Sequence, residues 1–154
     1  MTSPSATTGS RRRPLTRAEK DELTSDLRIA CMVIARRVRF ESTSEVAPHQ
    51  YSVLLRLKDR PRTLREVADI ERVSAPSMSR TVSSLVELGL VEKADDPDDG
   101  RQVILSLTRA GRRVIRETRR RRDQWLAVRL EKLDDDERAL LRDATALLEK
   151  VAAE

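Results

Sequence analysis

The stretch from Ser74 to Thr108, SAPSMSRTVSSLVELGLVEKADDPDDGRQVILSLT, constrains this chain most, because it prescribes a helix, a hairpin and the start of another helix in succession. Ser74 is a good N-cap, Pro76 sits in the first turn where a missing N–H costs nothing, and Gly89 supplies a left-handed terminus. The spacing therefore predicts a helix over about 75–88. Met78, Val82, Leu85 and Val86 recur on one side at the helical period, while Pro76, Ser77, Arg80, Ser83, Ser84 and Glu87 fall on the other.

That outer side is short and polar, with a single arginine. A helix that enters a DNA major groove, about 12 Å wide, needs such short side chains near its N-terminus. Ser74, Ser77, Ser79, Arg80 and Thr81 meet the need and are candidate DNA contacts. Two strand-like runs follow, Leu90 to Asp95 and Gln102 to Leu107, joined by Asp96-Pro97-Asp98-Asp99-Gly100-Arg101. These are turn residues, so the segment predicts a hairpin. Its tip is acidic except for Arg101, and Asp99, two residues earlier, is placed to orient that guanidinium towards a neighbouring minor groove.

In these residues the sequence resembles the MarR family of bacterial winged-helix transcription regulators. The resemblance is carried by SAPSMSRTVSSLVELGLVEK, by the wing DPDDGRQVILSLT with Asp99 and Arg101, and by Thr108-x-x-Gly111, and it runs from about Leu23 to the C-terminus. It implies a mainly α fold with a small β-hairpin wing. A winged helix-turn-helix lobe at about 47–108 would hang beneath a dimerisation body formed by helices at about 14–40 and 108–152. The family commonly has a Leu-Thr pair where Val46-Ala47 stands here, which removes a side-chain N-cap and leaves Gln50 to reach back to the free N–H groups.

The rest of the chain reads consistently with that plan. Residues 1–13, rich in Ser, Thr and Pro and ending in three arginines, read as a disordered basic tail ahead of a domain at 14–154. Thr16-x-x-Glu19 is a capping box for a helix to about Phe40, with an apolar stripe at Leu23, Leu27, Ala30 and Ile34. Pro48 opens a helix to about Asp59 with Val53, Leu54 and Leu57 inward. Thr63-x-x-Glu66 caps a short helix to about Arg72, whose N-terminus at Thr63 can hold a phosphate without reading sequence. Thr108 caps a long helix to about Leu133, arginine-rich at first. Asp134-x-x-Glu137 caps the last, whose Leu140, Leu141, Ala144, Leu147, Leu148 and Val151 form a seam too short to be stable alone. A second copy of the chain would cover it.

Charge supports duplex nucleic acid as partner. Residues 123–154 hold 9 acids against 5 bases, so the chain's net +5 is concentrated as +9 on residues 1–122, where the reading helix and wing lie. The three aromatics, Phe40, Tyr51 and Trp125, are too few for stacking single strands. One reading helix discriminates poorly against a genome, so two copies on a palindromic operator, ~34 to 36 Å apart, are expected.

Other classes fit less well. One His, one Cys, no Gly-rich phosphate loop and no metal-spaced cluster leave no means for most enzymes, and no cofactor is implied. No segment approaches the ~20 apolar residues of a membrane span, and a single cysteine suits a reducing cytoplasm. A nonspecific architectural DNA-binding protein would want Lys and Arg on the reading helix. The resemblance implies, further, a repressor responsive to a small lipophilic or phenolic anion, with Arg36, Arg37, His49 and Tyr51 as pocket residues. Some members sense oxidants through a first-helix cysteine. Cys31 is so placed, but its neighbours Ile29, Ala30, Met32 and Val33 predict a buried, inert thiol, and no second cysteine is present to resolve a sulfenic acid.

Overall fold

The computed structural model describes residues 13–41, 44–95, 97 and 102–153. In chain order the elements are α1 (Arg17–Glu41), α2 (Pro48–Arg56), β1 (Arg62–Thr63), α3 (Leu64–Glu71), α4 (Ala75–Glu87), β2 (Val91–Asp95), β3 (Val103–Leu107), α5 (Arg109–Leu130) and α6 (Asp135–Ala153). The fold is mainly α with one small antiparallel sheet, as expected. Residues 1–12 and the wing-tip residues Asp96, Asp98, Asp99, Gly100 and Arg101 lie outside the described residues. The readings of the tail at 1–12, of Asp99 and of Arg101 fall there.

Two compact units make up the chain, Met1–Arg36 and Arg37–Glu154. In the first, the capping box forms as its spacing requires: the Thr16 N–H donates to Glu19 Oε2 at 2.8 Å and the Glu19 N–H to Thr16 Oγ1 at 3.3 Å. Arg13 also pairs with the Glu19 carboxylate. No side chain of α1 is buried within the single chain. Cys31 is accordingly exposed within the single chain, where a buried thiol was expected. Its apolar neighbours are themselves on the surface.

The core of the second unit is built from α2, α3, α4, the sheet and the first half of α5. Leu54, Leu57, Val67, Val82, Leu85, Val91 and Leu105 are essentially without exposure. They are the inward positions that the helical and strand periods assign. Leu105 and Leu107 alternate inward on β3, whereas β2 buries only Val91. The hairpin register pairs Val91 with Leu107 and Asp95 with Val103. The sheet has a third strand that the sequence did not disclose: β1 pairs Arg62 with Leu105 and Thr63 with Ile104, giving the order β1-β3-β2. Two residues are too few to show an alternation.

Helix ends follow local chemistry. At the close of α4 the Leu90 N–H reaches Leu85 O and the Gly89 N–H reaches Val86 O, both at 2.9 Å, with Gly89 at φ +67°. This is a Schellman terminus, and it needs the left-handed residue. The second helix stops at Arg56, short of the expected Asp59. Side chains take the carbonyls at and just beyond its end: Arg62 Nε donates to Arg56 O at 2.8 Å and Arg112 Nη1 to Lys58 O at 3.1 Å. Orphan carbonyls satisfied this way give the helix no reason to continue. Among the described residues, no helix is long and apolar enough to cross a membrane.

Candidate nucleic-acid interface

The exposed N-terminal turn of α4 is organised by hydroxyls. Ser74 Oγ accepts from the Ser77 N–H at 3.4 Å and bonds Ser77 Oγ at 3.1 Å. Arg80 Nη2 in turn donates to Ser77 Oγ at 3.3 Å. The Arg80 side chain therefore leans back along the helix towards its N-terminus, to Ser77. Thr81 turns its hydroxyl to Ser77 O at 3.3 Å, and Ser79 and Thr81 are half-buried. Ser84, assigned to the outward side by periodicity, ties α4 to α2 through Gln50 Nε2 at 3.0 Å. Gln50 also accepts from the Ala47 N–H at 2.9 Å, supplying the cap that Ala47 lacks.

Thr63 is committed to its own cap. Its Oγ1 accepts from the Glu66 N–H at 3.2 Å, and its N–H donates to Glu66 Oε2 at 2.7 Å. Arg60, paired to Glu66 at 2.8 Å, and the Thr63 amide hold the Glu66 carboxyl below the usual carboxylate range. Arg65 is exposed on the first turn of α3 beside this terminus. The sequence reading passed over it.

Behind this surface lie two cavities. The larger, about 520 Å³, is lined by Arg39, Phe40, Pro48, His49, Tyr51, Ser52, Leu55, Glu71 and Arg122. The structure thus brings His49 and Tyr51 together, with Arg39, Phe40 and Arg122 added. Arg37 instead pairs with Glu41 at 3.6 Å, and Arg36 ends the first unit. The Arg122 guanidinium lies over the Tyr51 ring at 4.3 Å, and its buried Nε has no acceptor among the described residues. Arg122 stands 71 positions after Tyr51, so only its place in an arginine run was visible in the sequence. The smaller cavity, about 240 Å³, is lined by His49, Val53, Glu71, Val73, Ser77, Met78 and Thr81, directly under the start of α4.

Similarity to known proteins agrees with this geometry. A family profile described as MarR family matches residues 44–102. An uncharacterised HTH-type transcriptional regulator of Mycobacterium bovis is 41% identical over 128 residues, which cover 82% of this chain and 90% of that protein. The crystal structure of a Pseudomonas aeruginosa protein classed as a transcriptional regulator superposes with a TM-score of 0.77 at 27% identity, covering 90% of this chain and 99% of that one. The PcaV transcriptional regulator of Streptomyces coelicolor, also crystallised with its natural ligand, is 30% identical with a TM-score of 0.54, covering 87% of this chain and 97% of that one.

Proposed function

This chain belongs to the MarR family of winged helix-turn-helix transcriptional regulators, and on that premise we propose that it is a homodimeric, ligand-responsive repressor acting on a palindromic operator. The observation that carries the reading is the Ser74–Ser77–Arg80 relay on the exposed first turns of α4. It presents one pre-oriented guanidinium among side chains short enough for a major groove, where arginine reads guanine. Thr63 and Ser74 sit at helix N-termini suited to phosphates, and Arg101, with Asp99 beside it in sequence, supplies the wing contact.

Dimerisation is supported by apolar faces that a lone chain leaves wet. Leu140, Leu147 and Val151 on α6 are each more than 60% exposed, and α1 exposes Leu23, Leu27, Met32 and Ile34. Exposed stripes of this size mark a partner surface. In a dimer, an anion entering the larger cavity would shift the population between a DNA-competent and an incompetent spacing of the two reading helices. His49, Tyr51 and Arg122 would hold it, with a neutral body against Phe40 and Leu55. The site of action is the cytoplasm.

Thiol sensing through Cys31 is the second reading, favoured by the exposure of that residue. Cys31 lies four residues after Leu27 and three before Ile34, so the proposed dimer face would cover it.

Fluorescence anisotropy with DNA from the gene's own upstream region, against random competitor at two salt concentrations, tests the proposal. Binding that survives competitor and gives a two-fold-symmetric footprint is expected. Equal affinity for both DNAs with a steep salt slope would replace the reading with an architectural protein.

A further inference from the structure

We infer that Glu71 is a positioning residue for the reading helix: it locks the turn between α3 and α4 and forms the wall through which an occupant of the larger cavity acts on α4. The second half of this inference rests on the ligand-responsive reading above.

The geometry begins at the last residue of α3. Glu71 Oε2 accepts from Ser52 Oγ, and Oε1 from Arg56 Nε, both at 2.6 Å, and both donors belong to α2. Burial raises the carboxyl's pKa, but the Ser52 hydroxyl and the Arg56 guanidinium together lower it further, so the group is held ionised below the usual range. The next residue, Arg72, takes the left-handed conformation at φ 54°, alone among the described non-glycine residues. A side chain keeps that conformation only where its surroundings impose it. The Val73 N–H then closes on Ala68 O at 3.1 Å, and Ser74 caps the reading helix. Two residues separate the clamped carboxylate from the cap, which leaves no slack in the chain.

Glu71 and His49 are common to both cavities. On one side of them is the space bordered by Arg39 and Arg122; on the other are Ser77, Met78 and Thr81 of α4. Among the described residues, Glu71 is the sole acid lining the larger space. An anion drawn in by the unpaired Arg122 Nε arrives beside a fixed negative charge and beside Ser52, a donor that Glu71 is already using. Repulsion and competition both act on the same clamp. Loosening it releases the strained turn, and the first turn of α4 loses its fixed aim.

Glu71→Gln keeps the shape and removes the charge, and Arg56→Met removes the tie from the opposite side. Operator affinity and amide hydrogen exchange of the full-length variants test the positioning role without any ligand. The expected result is roughly tenfold weaker operator binding and faster exchange at residues 73–81, with residues 111–118 of α5 unchanged. Wild-type affinity and exchange in both variants would overturn the inference. For the second half, benzoate is the probe, with its binding to the protein measured separately by calorimetry. Glu71→Gln should still bind benzoate while its operator affinity no longer responds. A variant that binds benzoate and responds as fully as the wild type would overturn the relay. A wild type that binds no benzoate defeats the ligand reading for that anion, and the first comparison still decides the positioning role.

Discussion

The Thr108 hydroxyl donates to the Gly89 carbonyl at 2.7 Å while accepting from the Gly111 N–H at 3.0 Å. One side chain thus caps α5 and fastens the end of the reading helix to it, and the Thr108 N–H to Leu90 O at 3.2 Å adds a second tie. The orientation of α4 is fixed at both ends, here by Thr108 and at its start by the turn that follows Glu71.

Thr108→Ala removes the cap and the tie together. Loss of a helix cap alone costs about 0.5–2 kcal/mol, and urea unfolding should show a loss at the upper end of that range. Thr108→Ser should restore most of it, since the hydroxyl does the bonding.

Gly111→Ala should be more damaging than Gly89→Ala. A Cβ at Gly111 would lie 2.3 Å from Leu90 O and 2.9 Å from Leu107 Cδ2, a clash with backbone that cannot rotate away. A Cβ at Gly89 meets nothing within 4 Å, so only the left-handed φ is strained, at roughly 1–2 kcal/mol. Thermal unfolding of the two variants should rank them in that order.

Arg80→Ala should weaken operator binding by about 1–3 kcal/mol and relax the base preference at one position of each half-site. Binding-site selection on the variant checks this. An equal loss on every sequence would make Arg80 a phosphate contact.

Leu147→Glu places a charge on the exposed apolar face of α6. Sedimentation should show dimers for the wild type and monomers for the variant, with operator affinity falling as the second half-site is lost. Helical circular dichroism should fall as the dimer dissociates, because no residue of α6 is buried within the chain and the helix depends on its partner.

Acid should fray the start of α1 late. The Arg13 guanidinium, followed by the Thr16 amide and hydroxyl, lowers the Glu19 carboxyl from 4.5 to about 2. Because the folded pKa is depressed, the cap's contribution is complete above pH ~4.5 and is lost as pH falls through about 2. Protection of the residue 17–20 amides, relative to their intrinsic exchange at each pH, should fall across that window in the wild type and be low throughout in Glu19→Gln.

Much of this was legible from the chain. Capping boxes at Thr16, Thr63 and Asp134, the Ser74 cap and the Gly89 terminus are local: the groups that satisfy one another lie within a few residues, so spacing alone dictates them. The inward positions of α2, α4 and β3 follow from period, and the short polar side of α4 from composition. The arginine run of α5 was ambiguous, because its members divide by direction. Arg112 bonds Lys58 O just beyond α2, Arg121 pairs with Glu45 at 3.3 Å, and Arg122 lies over Tyr51.

The sequence by itself therefore determined the six helices, the hairpin and the termini whose caps are local, and which helix has a short polar outer side, since those depend on interactions within one or two turns. Only tertiary structure decided what α2, α3 and α5 build between them. Strand β1 exists because Leu105 and Ile104 offer it partners, side chains from β1 and α5 take Arg56 O and Lys58 O around the end of α2, and the cavities join Tyr51 to Arg122 and Glu71 to Ser52. Such contacts join groups from 6 to 71 positions apart, and no local period encodes which of many arginines or glutamates the packing will bring inward.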